Sequence, residues 1–390
     1  FNGMKSKIAV SIISIASLLS HGSFAQSTND KEVQGRIQQI EQDVLDGKHK
    51  DDGTTWSIKD RMLYYKINGL SIAIVHNYKI EWAKGFGWAD VKENRPVTTE
   101  TVFQAASISK SLNGVGVLTL VQDKRLDLNS DINNYLTSWK FPYDSISKDK
   151  KITLAALLSH TAGLGVHGFD GYEPGKPLPT ITQILDGLKP ANSPAVRSEF
   201  MPGIEFQYSG GGIVITEAII QDITHQPYDK FMFENVLNPF GMIHSFYTQP
   251  PPAEKKLVLA TAYDSIGNEI PGKYHIYPEQ APAGLWSNPT DLCKYIIETQ
   301  LSYQGKSEKV LSQRMTRLRL TPVYGIFALG VFITNENGIK LFSHDGSNEG
   351  FNCMYAGTLE HGNGVVIMVN SDERDILDEL FKRVEAVYKW

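Results

Sequence analysis

Short β-branched and aromatic runs sit at both ends of this 390-residue chain, and a helical, loop-rich stretch separates them. Near the beginning, Leu70 to His76 and Lys79 to Phe86 read as two strands joined by a turn at Asn77-Tyr78. Near the end, Tyr324 to Thr334, Ile339 to Ser343, Phe351 to Gly357 and Gly364 to Asn370 read as strands. Asn335-Glu336-Asn337-Gly338 supplies a hairpin turn among them, and Glu373 to Tyr388 a closing helix. The middle differs: Ser107 to Lys124 has helical spacing through Val115, Leu118 and Val121, Thr153 to Leu158 starts a short helix, and 168–179 and 249–284 are rich in Pro and Gly. Strands at both termini around such a middle predict an α+β fold, with one antiparallel sheet built from both chain ends, flanked by helices, and an inserted, mostly helical region. The expected domain spans 61–390, its sheet part about 61–105 and 285–390 and its helical part about 106–284.

Composition narrows the partners. With 41% hydrophobic and 21% charged residues the chain can bury a substantial core, and a net charge of -5 with a pI near 6.1 argues against nucleic acid. Phe1-Asn2-Gly3 read as an addition ahead of a start at Met4. Lys5 and Lys7, the apolar run Ile8 to Leu19 and the small-residue site Ser23-Phe24-Ala25 then read as a signal peptide over 4–25, followed by a polar leader over 26–60. An uncleaved anchor is the alternative; the apolar run is short for a bilayer span. The expected location is periplasmic or secreted, without a membrane anchor after cleavage. Cys293 and Cys353 lie among apolar neighbours and read as buried thiols, and the ten histidines form no HExxH pattern. No metal and no cofactor are expected.

The chemistry-bearing feature is Ser107-Ile108-Ser109-Lys110. Three residues apart at a helix start, Ser107 and Lys110 share one face, where a lysine can activate a hydroxyl nucleophile. The same letters recur at Ser145-Ile146-Ser147-Lys148, and Ser147 with Lys150 repeats the spacing. Those copies sit in a charged segment without apolar periodicity, whereas Ser107 opens an apolar helix whose free N–H groups favour developing negative charge.

Two further stretches stand out: Tyr208-Ser209-Gly210 after Pro202-Gly203, and His344-Asp345-Gly346-Ser347 at the end of a strand. With the Ser-x-x-Lys they resemble, in order and spacing, the SxxK, YxN and KTG/HxG motifs of class C β-lactamases and serine penicillin-binding proteins. Leu157 to Leu164 and Ala283 to Leu292 are also similar to that family, and the resemblance runs from about residue 60 to 388. It implies a β-lactamase/DD-peptidase-like fold and two-step acyl transfer through an ester on Ser107. Lys110 and Tyr208 would share the proton transfers, burial lowering the pKa of the lysine and a nearby cation that of the tyrosine. The backbone N–H groups of Ser107 and Ser347 would form the oxyanion hole, and His344, Gly346 and Gly210 would line the substrate, with Gly346 leaving room for it along the strand.

Two departures bear on substrate. Gly210 stands where many β-lactamases carry Asn, and His344 where they carry Lys, which weakens the expected attraction for a carboxylate. A small molecule or short peptide is the expected partner: a β-lactam or a D-aminoacyl peptide amide, with small esters on the same Ser-Lys-Tyr centre as an alternative. A penicillin-binding sensor that is acylated without turnover is a second alternative.

Overall fold

The computed structural model describes residues 19–42 and 56–390. Most of the segment read as a signal peptide, residues 4–18, and 43–55 of the leader lie outside the described residues. Helix α1 (Leu19–Gln42) runs from the end of that signal-peptide segment into the leader, and helix α2 (Ile58–Tyr64) crosses the leader's end at residue 60. Helix α1 is packed onto the domain: Ile40 is fully buried, its carbonyl accepts from Arg383 at 3.0 Å, and Arg36 forms a two-pronged ion pair with Glu81. Ile37 and Ile40 face one apolar cluster, which explains why this polar stretch docks on the domain.

Strands β1 (Gly69–His76) and β2 (Lys79–Asp90) form the expected hairpin. Asn77 and Tyr78 both take left-handed φ values, 51° and 61°, which matches a turn whose twist suits two antiparallel strands. The short β3 (Arg95–Pro96) edges β2. From the other end come β4 (Phe332–Glu336), β5 (Ile339–Asn348), β6 (Phe351–Thr358) and β7 (Gly364–Val369). The sheet order is β3-β2-β1-β7-β6-β5-β4, antiparallel throughout, and the β1/β7 ladder, Leu70 opposite Val369 through Val75 opposite Gly364, joins the two chain ends.

Alternation along these central strands feeds two separate cores. Leu70, Ile72, Ile74, Val365, Ile367 and Val369 pack under the C-terminal helix, whose Ile376, Leu377, Leu380 and Val384 form one apolar stripe. Ala73, Val75, Val366 and Met368 face the opposite layer, which includes helix α3 (Ser109–Gln122), helix α4 (Gly210–Thr224) and helix α5 (Pro289–Tyr303). The C-terminal helix is α6 (Asp375–Tyr388).

Two strand boundaries differ from expectation, and both matter for the site. Of Tyr324 to Thr334 only Phe332 onward is strand, because β4 pairs just with Ile339–Ser343 of β5, while Tyr324 and Phe327 close a turn of their own through Gly325 at φ 56°. Strand β5 instead runs five residues beyond Ser343, since β6 continues beside it from Tyr355 opposite His344 to Phe351 opposite Asn348. His344 to Asn348 therefore lie on a strand whose other edge β4 leaves uncovered.

Candidate active site

Ser107 sits in a 3-10 turn, Ala106–Ile108, that leads directly into α3. Ala106 holds φ at 47°, a left-handed conformation costing a non-glycine residue about 1–2 kcal/mol, and it is followed at once by the serine. Bonds on every side hold the turn there. Ala105 donates to the Leu285 carbonyl at 2.8 Å, and its own carbonyl accepts from the Cys353 thiol at 3.2 Å. The first turn of α3 is equally tied, with Ser109 Oγ accepting from Leu285 N–H at 3.0 Å and the Ser109 carbonyl accepting from Tyr247 at 2.7 Å.

Lys110 is 2% exposed, and its Nζ donates to Ser107 Oγ at 2.8 Å and to the Pro282 carbonyl at 2.9 Å. Burial pushes its pKa down to about 7, with only the Asp345 charge opposing. The amine lies 4.8 Å from the centre of the Tyr208 ring. Tyr208 is held by His160, whose ring stacks on it at 4.3 Å, whose carbonyl accepts from Gln207 N–H at 2.8 Å and whose Nδ1 accepts from Ser209 N–H at 3.1 Å. That last bond requires an unprotonated Nδ1; burial, then the charges of Lys110 and of neighbouring histidines, hold the His160 pKa well below its ordinary value. Ser209 caps α4, accepting from Gly212 N–H at 2.9 Å.

The electrostatics of Tyr208 reverse the expectation for it. Burial pushes its pKa up, and the hydrogen bond with Ser107 offsets this only in part. No cation depresses it, because the neighbouring lysine is itself driven towards the neutral amine. The phenol therefore keeps its proton and serves better as a donor than as a base.

A cavity of about 490 Å³ opens over this centre, lined by Ser107, Lys110 and Tyr208, by Asp345, Gly346, Ser347 and Asn348 of β5, and by an aromatic wall of His167, Phe169, Phe206 and Phe332. Ser107 and Ser347 thus flank one space, as an oxyanion pair requires. Gly346 lines it too, but for a different reason from the one expected. A β-carbon there would stand 2.5 Å from the Ala105 carbonyl oxygen and 2.9 Å from both Ser107 N and Cys353 Sγ, so the missing side chain lets the turn that carries Ser107 approach the strand. Gly346→Ala is expected to lose about 1–3 kcal/mol of stability by overpacking and at least about tenfold in acylation rate by displacing Ser107. Thermal melting and serine-labelling kinetics measure the two effects.

His344 and Gly210, expected at the substrate, lie outside the cavity lining. The His344 ring is 3% exposed, stacks on Phe332 at 4.7 Å and bonds the Asp345 carbonyl through Nδ1 at 2.6 Å. Burial, then the Lys110 charge, pushes its pKa down to about 4. Asp345 turns the other way and pairs with Arg374 at 2.7 Å. At Gly210 a β-carbon would meet Phe169 at 3.0 Å and the His167 carbonyl at 3.1 Å, so the 166–169 loop fills the place of a side chain. Sequence reasoning missed Phe169, Phe206, Phe332 and Pro282. The first three carry no pattern of their own, and Pro282 acts through its carbonyl, which any residue has. Cys293 and Cys353 are both free and buried.

A family model described as Beta-lactamase matches residues 50–387. Protein flp of Staphylococcus aureus (strain N315) is 27% identical over 318 residues, 78% of this chain and 60% of that protein. The teichoic acid D-alanine hydrolase of Staphylococcus aureus is 23% identical over 252 residues, 64% of this chain and 59% of that protein. The chain therefore spans about 60% of the length of these curated relatives. Among solved structures, the octameric penicillin-binding protein homologue from Pyrococcus abyssi superposes with a TM-score of 0.70 at 24% identity, covering 83% of this chain and 74% of that one. Fold, motif order and a family match over most of the sequence agree: the chain belongs to the Beta-lactamase family of serine hydrolases.

Proposed function

We propose that this protein is an exported acyl hydrolase that takes the acyl group from D-aminoacyl esters and amides through an ester on Ser107. The observation that carries the substrate class is the charge of the cavity. Among the described lining residues Lys110 is the one lysine or arginine, and its chemistry needs it neutral, while the Asp345 carboxylate is turned to Arg374 and its charge is matched there. The residue in the family's lysine position, His344, is buried and neutral. No charged side chain of this lining is free to hold a substrate carboxylate, whereas the α-amine of a D-aminoacyl group meets no fixed cation there. The D configuration is supported by the likeness to an enzyme described as a D-alanine hydrolase. Export rests on the basic and apolar segments around Lys5 to Leu19.

The steps balance on the residues present. Lys110 takes the Ser107 proton as Oγ attacks the carbonyl carbon, and the N–H groups of Ser107 and Ser347 hold the oxyanion. The bond to the leaving group breaks, and that group receives the proton from Lys110 by way of the Tyr208 hydroxyl. Water then attacks the ester, gives its proton to Lys110, and Ser107 regains a proton as the acid departs.

The test is a parallel assay on a D-alanyl ester, a D-alanyl anilide, their N-acetyl derivatives, an acyl-D-alanyl-D-alanine peptide and nitrocefin. The expected result is a kcat/KM at least about tenfold higher for free-amine D-alanyl substrates than for the N-acetyl or carboxylate-bearing ones. Preference for nitrocefin or the peptide would overturn the substrate class. A stoichiometric burst without steady state on every substrate would instead make the protein an acylated sensor.

A further inference from the structure

Glu217 is a carboxyl buried to 1% exposure in the apolar run Ile213 to Ile220 of α4, outside the cavity lining. A carboxyl in such surroundings costs several kcal/mol unless its oxygens are bonded. Its Oε2 accepts from the backbone N–H of Ala281 at 2.8 Å, and the N–H of Gln280 adds a second bond. Both donors belong to the short helical turn Gln280–Ala283, and the next carbonyl of that turn, Pro282, is the acceptor for Lys110. An unbroken chain of contacts thus runs from Glu217 through the turn and the lysine to Ser107 Oγ.

We propose that Glu217 is a positioning residue for Lys110, holding the Gln280–Ala283 turn so that the Pro282 carbonyl fixes the rotation of the lysine amine. This rests on the reading of Ser107 and Lys110 as the acylating pair. A neutral amine has one lone pair and two N–H bonds. With one N–H donated to Pro282, the second N–H and the lone pair share the two remaining positions, so one of only two orientations aims the lone pair at Ser107; with that carbonyl displaced, the amine rotates freely and that orientation is populated less. The charge state of Glu217 suits the task. Burial first, with a smaller push from the neighbouring Glu279 and Asp229 and against the two backbone N–H bonds, brings its pKa to about 8. The other titratable groups facing it, the hydroxyls of Tyr228 and Tyr247, keep their protons because burial raises them as well. At neutral pH Glu217 therefore accepts hydrogen bonds without adding a negative charge that would draw Lys110 back to the ammonium form.

Glu217→Gln and Glu217→Leu distinguish this from a merely structural role. The readout is the second-order rate of Ser107 labelling by an aryl fluorophosphonate from pH 5 to 10, with thermal melting as the check on folding. Glu217→Gln keeps a neutral oxygen acceptor and is expected to label within about threefold of wild type. Glu217→Leu is expected to melt cooperatively yet label at least about thirtyfold more slowly at pH 8, with a displaced acid limb. Should it not fold, Glu217→Met fills the same space and takes its place. Wild-type labelling with an unchanged pH profile in the apolar variant, or a Gln variant as slow as the apolar one, would overturn the inference. Labelling that persists in Ser107→Ala would instead overturn the reading of Ser107 on which it rests.

Discussion

Ser107→Ala is expected to lower hydrolysis of any substrate by at least about 10³-fold and to abolish covalent labelling, while Ser145→Ala and Ser147→Ala stay within about threefold of wild type. The three serines share a sequence spacing but not a geometry. Ser107 lines the cavity and has a buried lysine amine 2.8 Å away whose pKa lies near 7. Ser145 is exposed on a turn, and the lysines that follow it, Lys148 and Lys150, are exposed as well. Ser147 is fully buried, accepts from Ser198 at 2.7 Å and donates to Asp144 at 3.3 Å, so its alanine variant is expected to lose about 1 kcal/mol of stability and no activity. Steady-state rates and mass-spectrometric detection of the labelled peptide separate the cases. Activity surviving in Ser107→Ala and lost in Ser147→Ala would end the assignment.

Much of this centre was legible because its chemistry needs particular side chains at fixed spacing. A hydroxyl and an amine on one face of a first helical turn leave a pattern, and so do a tyrosine before a capped glycine helix and a glycine at the strand that meets the Ser107 turn. The fold was legible at its seams, where β1 and β7 alternate apolar residues between two cores. It was less legible at Tyr324 to Phe327, where β-branched and aromatic residues serve a turn beside the cavity and so imitate a strand. The aromatic wall was hidden for a related reason: Phe169, Phe206 and Phe332 come from three segments that only the tertiary fold brings together. The part played by Tyr208 was misread because a charge argument from sequence assumed a cation beside it, whereas burial decides the state of both partners.

Lys110→Met is expected to combine a loss of at least about 10³-fold in acylation with a gain in stability. The loss follows from removing the base, since Tyr208, raised by burial, does not replace it. The gain follows from linkage. The lysine pKa falls from the model-compound range to about 7 on folding, so between about pH 7 and 10.5 the unfolded chain binds a proton that the native chain does not. Wild-type stability should therefore rise with pH across that window, and below it the protein carries the full cost of the buried amine, roughly 5 kcal/mol at 1.36 kcal/mol per pKa unit. Methionine removes that cost but leaves the Pro282 carbonyl without its donor, which returns about 1–3 kcal/mol. The net expectation is a melting temperature several degrees above wild type at pH 6 to 7, with the difference shrinking and then changing sign as pH approaches 10. Wild-type labelling should instead climb as pH approaches that window from below and be level within it, because the free amine is the reactive form. A methionine variant that is both inactive and less stable at every pH would mean that Lys110 is held as an ammonium ion in the fold, and the base would have to be sought elsewhere.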